Sequence, residues 1–433
     1  MAAAYTTFSI GRSAACTTDS VIGRCRLVYV PKVAILALTS FLLSTAAVAA
    51  QEPATRSEAD HRRRDEKNSE LAPYRPGRIE RVLNIFERRA VFILDREGFY
   101  PKLGSLTTGS GFAYGLGFRD RDLFDDQGML DVWAATSIKQ YWAAEARLTL
   151  PRLAGNRVMV EAWASRRDYP QEIFFGIGPD SNRLHQADYA LRTNSFGGKI
   201  GVRPARPIFV GSGLEYLEPR VGRGQNDGVL DISDQFAPTQ VPGLTRATDF
   251  VRSGVFAEVD YRVPRNARKG GWYRVDFSHY ADRSAAGRLT FNRMDADVRQ
   301  FIGFLNERRV LAARLFVSTS NTTPGRVMPF YFMPTLGGND TLRGFHEYRF
   351  RGPHAILLQG EYRWEIWSGF DAALFYDAGK VADRRADLNL SNLERDYGLG
   401  FRFNTDNGVV FRVDAAFGSR DGKHLYIVFG GVF

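Results

Sequence analysis

The sequence predicts an all-β fold: a closed antiparallel transmembrane β-barrel of about sixteen strands with a long external loop folded inward. Three observations predict it. Segments of about ten residues alternate apolar and polar side chains along most of the chain. The polar members of each segment are Arg, Glu and Asp in near balance. No run beyond residue 50 approaches the roughly 18 apolar residues a membrane helix requires. Composition agrees, with 13% aromatics and 42 glycines in 433 residues. Aromatics suit interfacial girdles, and glycine suits a curved wall.

The N-terminus reads as an address. Arg24, Arg26 and Lys32 precede an apolar run from Val33 to Ala50, and Ala47-Val48-Ala49 fits a signal-peptidase site. Residues 1–49 are therefore expected to be a signal peptide. Both cysteines, Cys16 and Cys25, fall inside it, so no disulfide framework or thiol chemistry is expected in the mature chain. Residues 50–89 read as a periplasmic linker ending in a short amphipathic helix, with Ile79, Val82, Leu83, Ile85 and Phe86 near helical spacing. The barrel is expected over 90–433.

Within the barrel, period two sets one face against the other. In 357–367, Gln359, Glu361, Arg363 and Glu365 oppose Leu358, Tyr362, Trp364 and Ile366. In 397–404, Tyr397, Leu399, Phe401 and Phe403 oppose Arg402 and Asn404. In 409–418, Phe411, Val413 and Ala415 oppose Arg412 and Asp414. In 255–263, Val255, Ala257 and Val259 oppose Glu258, Asp260 and Arg262. Leu311, Ala313 and Leu315 oppose Arg314. A soluble sandwich also alternates, but balanced charges on the second face suit a lumen where they pair across strands. With no helical crossovers the sheet is antiparallel, and lipid does not permit an open edge.

Strands are expected near 90–101, 107–120, 127–138, 140–151, 156–168, 185–203, 206–219, 248–262, 270–283, 287–303 and 307–320. Five more follow near 355–367, 370–381, 395–405, 408–418 and 424–433. Connections near 121–126, 152–155, 203–206 and 263–269 are short, whereas 169–184, 220–247 and 321–354 are long. That asymmetry is the one expected of periplasmic turns and external loops.

The formal charge of +10 raises nucleic acid as a partner. The arginines alternate with apolar residues inside strands instead of clustering, so a charged lumen is expected and no nucleic acid. The six histidines are scattered, and His346 and His354 lack metal-ligand spacing. Gly109-Ser110-Gly111 lacks the spacing of a nucleophile elbow. No metal, cofactor or enzymatic activity is expected.

The most informative run is 336–345, LGGNDTLRGF. Gly337, Gly338, Leu342, Arg343, Gly344 and Phe345 resemble the arginine-glycine-aromatic loop motif of the Omp85 superfamily, the outer-membrane barrels of the BamA/TamA type. Glu361 sits where that family places an acid on the strand after the loop. Phe375-Tyr376-Asp377-Ala378-Gly379 resembles its aromatic-x-Asp-x-Gly strand motif. The chain ends with Tyr426, Phe429 and Phe433, similar to the aromatic signal for barrel insertion. The resemblance implies that the sixth external loop folds into the lumen and that Arg343 contacts the lumenal Glu361 and Asp377. It also implies a cell outer membrane of Gram-negative type and a role in inserting or translocating proteins. The partners it implies are outer-membrane lipid, nascent outer-membrane or exported proteins, and a periplasmic protein. About 40 residues separate the expected cleavage site from the first strand, below the roughly 50 of a small domain. No periplasmic POTRA domain is therefore expected. A passive channel or structural barrel is the alternative reading.

Overall fold

The computed structural model describes residues 97–429, apart from 264–267, 285, 368, 406 and 407. Signal peptide, linker and amphipathic helix, the first residues of the expected opening strand, and Phe433 lie outside the described residues.

Sixteen strands form the wall: β1 (Gly98–Gly104), β2 (Ala113–Asp122), β3 (Gly128–Ser137), β4 (Trp142–Arg152), β5 (Val158–Phe174), β6 (Ala187–Ala205), β7 (Ile208–Arg223) and β8 (Phe250–Asp260). They continue as β9 (Gly270–Asp282), β10 (Phe291–Phe304), β11 (Arg309–Asn321), β12 (His354–Trp367), β13 (Phe370–Ala382), β14 (Glu394–Thr405), β15 (Gly408–Ser419) and β16 (Gly422–Phe429). Each strand pairs antiparallel with the next along the chain. The expected strand number and order are those found.

The burial pattern identifies the solvent. On β13, Leu374 and Tyr376 are 51% and 47% exposed, while Phe375 between them and Asp377 just beyond are buried. On β14, Tyr397, Leu399 and Phe401 face outward, and Asp396 and Arg402 face in. Gln359, Glu361 and Arg363 of β12 are all buried. A water-soluble protein would invert this arrangement, whereas hydrocarbon outside and paired charge inside account for it. No helix among the described residues is long and apolar enough to cross a membrane.

No ladder joins β1 to β16 among the described residues, so the barrel is nearly closed and a seam separates its first and last strands.

At one end the chain reverses tightly, as between β2 and β3, where Phe124, Asp125 and Asp126 adopt positive φ. At the other end lie the long connections. That from β11 to β12, residues 322–353, contains a helical turn at Phe330–Phe332 and a small ladder between Thr335–Leu336 and Phe350–Arg351. Two aromatic clusters stand at this end. Phe330 packs edge-on against Phe174 and Tyr189, and Phe332 packs against Phe250, Tyr280 and Phe291. Leu336, Leu342, Phe345 and Phe350 of the same loop bury against Ala355, Leu357 and Val381 of the wall. Full burial contributes roughly 1.5–3 kcal/mol for each large side chain, so this cluster supplies much of the energy that holds the loop inside.

Candidate functional site at the arginine loop

The loop motif turns on its glycines. Gly337 has φ +114°, a conformation L side chains rarely adopt, and an added Cβ would stand 2.2 Å from the His346 carbonyl oxygen. The next residue, Gly338 (φ +99°), donates its N–H to the Leu342 and Phe345 carbonyls at 3.2 and 3.1 Å. The turn closed in this way presents Arg343 toward β12–β15. At Gly344 the reason is approach: a Cβ there would lie 2.5 Å from the Asp396 Cβ on β14. Bare backbone lets the loop tip touch the wall.

Arg343 is fully buried. Its Nε and Nη2 donate to the two oxygens of Asp377 at 2.7 and 2.8 Å, and Nη1 donates to Glu361 at 3.1 Å. Asp414 lies 3.7 Å from Nη1. Phe375 supplies a face for the guanidinium, with 3.4 Å between the ring centroid and the guanidinium carbon. The planar fork of arginine matches this arrangement, because it can serve two carboxylates while its flat side stacks on a ring. Burial works against the charge of Arg343, but Asp377, followed by Glu361, overrides it and raises its pKa above the ordinary arginine value.

The remaining sequence-derived residues take these positions. Leu342 and Phe345 are fully buried, Phe345 edge-on to Phe350. Gly379 packs beneath Leu336, where a Cβ would come within 3.2 Å of its methyl. Tyr426 points into the barrel and donates its hydroxyl to the Phe345 carbonyl at 3.1 Å. Phe429 closes the β15–β16 ladder opposite Phe411.

Several residues of the site were not singled out from the sequence. Arg402 donates to both oxygens of Glu361 at 2.9 Å and to Asp414 at 2.5 Å. Arg363 donates to Glu361 at 2.7 Å. Arg412 bonds Asp414 on one side and the loop's Asp340 on the other, at 2.5 and 2.7 Å. Gln359 bridges Asp377 and the Thr341 carbonyl at 3.2 and 2.8 Å. Arg343 thus enters an alternating lattice of acids and guanidiniums on four consecutive strands. Parity had already put Arg402, Arg412 and Asp414 on lumenal faces. Their heights relative to Arg343 depend on strand stagger, which parity does not supply.

Among the described residues no group of His, Cys, Asp or Glu is placed to hold a metal.

The family model for the Omp85 superfamily domain matches residues 254–429, which span the site and its strands. Residues 254–429 are thus similar to the Omp85 superfamily domain. No curated protein matches the sequence. Among solved structures, BamA from Haemophilus ducreyi lacking POTRA domains 1-3 is similar with a TM-score of 0.56 at 12% identity. The match covers 80% of this chain and 78% of that one. CdiB from Escherichia coli is similar with a TM-score of 0.52 at 15% identity, over 76% of this chain and 60% of that one. At these identities the likeness is one of fold. This chain spans less than two thirds of the CdiB chain, and the stretch similar to the Omp85 superfamily domain runs from within β8 through the described part of β16.

Proposed function

We propose that this Omp85 barrel resides in the outer membrane of a Gram-negative-type bacterium and inserts or translocates proteins there, without enzymatic activity. The observation that carries the reading is the seam. Among the described residues β1 and β16 leave strand edges without a ladder between them, and an unpaired edge is a template for an incoming strand. Hydrocarbon leaves such an edge unsatisfied, at a cost of several kcal/mol for each bare backbone group. A substrate strand that pairs with the edge removes this cost and is drawn to the seam. In the proposal, Arg343, held by Glu361 and Asp377, keeps the loop in the lumen and the last strands in shape. The substrates this reading implies are nascent outer-membrane or exported proteins, handed over by a periplasmic partner.

A passive channel is favoured by a different observation, a polar lumenal cavity of about 350 Å³ lined by Glu145, Arg147, Glu161, Lys199, Arg252 and Arg274. One experiment separates the two. The purified chain is reconstituted in liposomes, and folding of an unfolded test barrel is followed by protease protection, with single-channel conductance measured in parallel. Acceleration over empty liposomes is the expected result. Steady conductance with no acceleration would reject the insertion reading.

A further inference from the structure

Residues 344–349 touch both sides of the seam. On the β16 side, Ser419 donates to the Gly344 carbonyl and Tyr426 to the Phe345 carbonyl. His346 Nδ1 stands 3.1 Å and Arg349 Nε 3.2 Å from one oxygen of Asp421, which sits in the β15–β16 turn. His346 also packs edge-on against His424 of β16, with ring centroids 4.9 Å apart. On the β1 side, Tyr348 donates its hydroxyl to the Thr108 carbonyl at 3.0 Å and lies 2.7 Å from the Thr107 hydroxyl. A phenol has one hydrogen, so Thr107 is the donor in that second contact. Thr107 and Thr108 belong to the β1–β2 loop. Ser110 makes this loop compact by accepting from the Leu106 and Thr107 N–H groups and donating to the Thr107 carbonyl.

We infer that residues 344–349 form a strap across the external end of the seam, tying the β15–β16 turn to the β1–β2 loop through Asp421 and Tyr348. The strap is continuous with the motif, since Gly344 follows the arginine anchored on Asp377. The wall strands at the seam share no ladder among the described residues. At their external end the loop supplies the link, from side chains and not from a backbone ladder. Such a link can be released without breaking a strand pair. Opening toward lipid at the external end therefore requires loss of the Tyr348 contacts, the Asp421 contacts or both. This inference rests on the seam itself and not on the identity of any substrate.

The test measures the width of the seam. In the full chain carrying Cys16→Ser and Cys25→Ser, spin labels are placed at Leu103→Cys and Leu425→Cys, both exposed outward near the external end. A second pair at Phe99→Cys and Ile427→Cys reports the other end. Distance distributions in lipid nanodiscs are compared for this background, Tyr348→Phe, Asp421→Asn and the double variant. The background should give a narrow external distribution. Losing the two hydrogen bonds of the Tyr348 hydroxyl, or the charge of Asp421, should raise the open-to-closed ratio at least roughly five- to tenfold, and the double variant more. Thr107→Ser, which keeps the hydroxyl, should stay narrow. A broad external distribution in the background, or an unchanged narrow one in the double variant, would overturn the strap. If Asp421→Asn fails to fold, Thr107→Val tests the other anchor from outside the charged lumen. Insertion activity is not the readout, so failure of the strap and failure of the insertion proposal remain separable.

Discussion

Replacing Arg343 by lysine keeps the charge and removes the fork. The guanidinium serves both oxygens of Asp377 and one oxygen of Glu361 while lying flat on Phe375. A lysine ammonium is a single point, so it can retain one carboxylate well but not the bidentate pair together with the bridge. Each hydrogen bond to a charged group contributes roughly 1.5–3 kcal/mol. Losing two and keeping a displaced third gives a net loss of about 3 kcal/mol for the docked loop. That lies at the lower end of the roughly 3–5 kcal/mol expected when a buried ion pair loses a partner outright, as in Arg343→Ala. At about 1.4 kcal/mol per decade, the docked-to-undocked ratio falls about a hundredfold. Hydrogen exchange reads this directly. The N–H groups of Gly338 and Phe345 bond only to carbonyls of the loop itself, at Leu342 and Phe345 for the first and Leu342 for the second. They are protected while the turn is held and exchange when it opens. In nanodiscs these amides should exchange about a hundredfold faster in Arg343→Lys and faster still in Arg343→Ala, with the wall strands unchanged. If protection of both amides stays within about threefold of the parent protein in both variants, the arginine does not hold the loop.

Two further outcomes follow from the same geometry. Gly344→Ala places a methyl 2.5 Å from the Asp396 Cβ and 3.1 Å from the Ser419 Cβ, and such overpacking should cost about 1–3 kcal/mol; urea unfolding of the micellar barrel, followed by its heat-dependent gel mobility, measures it, and an unchanged midpoint would refute the close approach. Asp414→Asn leaves Arg402 and Arg412 without their shared acid and should lower stability by about 3–5 kcal/mol. By contrast, Asp168→Asn breaks an outward pair with Arg192, whose side chain is 60% exposed, and should cost under about 1 kcal/mol in the same assay.

The two halves of the chain differ in how they keep their lumenal charges. In β4 through β11 the pairs are local. Arg274 bonds Asp276 on its own strand and Glu258 on the neighbour, and Arg299 with Arg314 brackets Asp297. In β12 through β15 the acids are shared by arginines from several strands and from the loop. Removing Asp297 strands two arginines of adjacent strands, whereas removing Glu361 strands Arg343, Arg363 and Arg402, drawn from the loop and two strands. The second half therefore acts as a unit, and the Omp85 domain match covers it.

The sequence by itself determined the fold class and the wall. A period of two with charges on one face and apolar residues on the other has one stable solution in hydrocarbon, a sheet whose backbone is satisfied between strands. The sixteen wall strands accordingly lie where the alternation occurs. Their ends were harder to read: β5 runs to Phe174 and β7 to Arg223, beyond the alternating stretches, because near the rim the pairing extends past the apolar band. Parity also sufficed to put Glu361 and Asp377 on lumenal faces, because side-chain direction is a local property of a strand. Only the tertiary structure decided the rest. Whether Asp414, Arg402 and Arg412 meet Arg343 depends on tilt and stagger, which are set by the whole sheet. Whether β1 meets β16 depends on the last step around the barrel, where small errors of curvature accumulate. The contacts of Tyr348 and Asp421 join residues more than 70 positions apart in one case and more than 200 in the other. No local pattern encodes such contacts, because they form only once the loop has folded into the lumen.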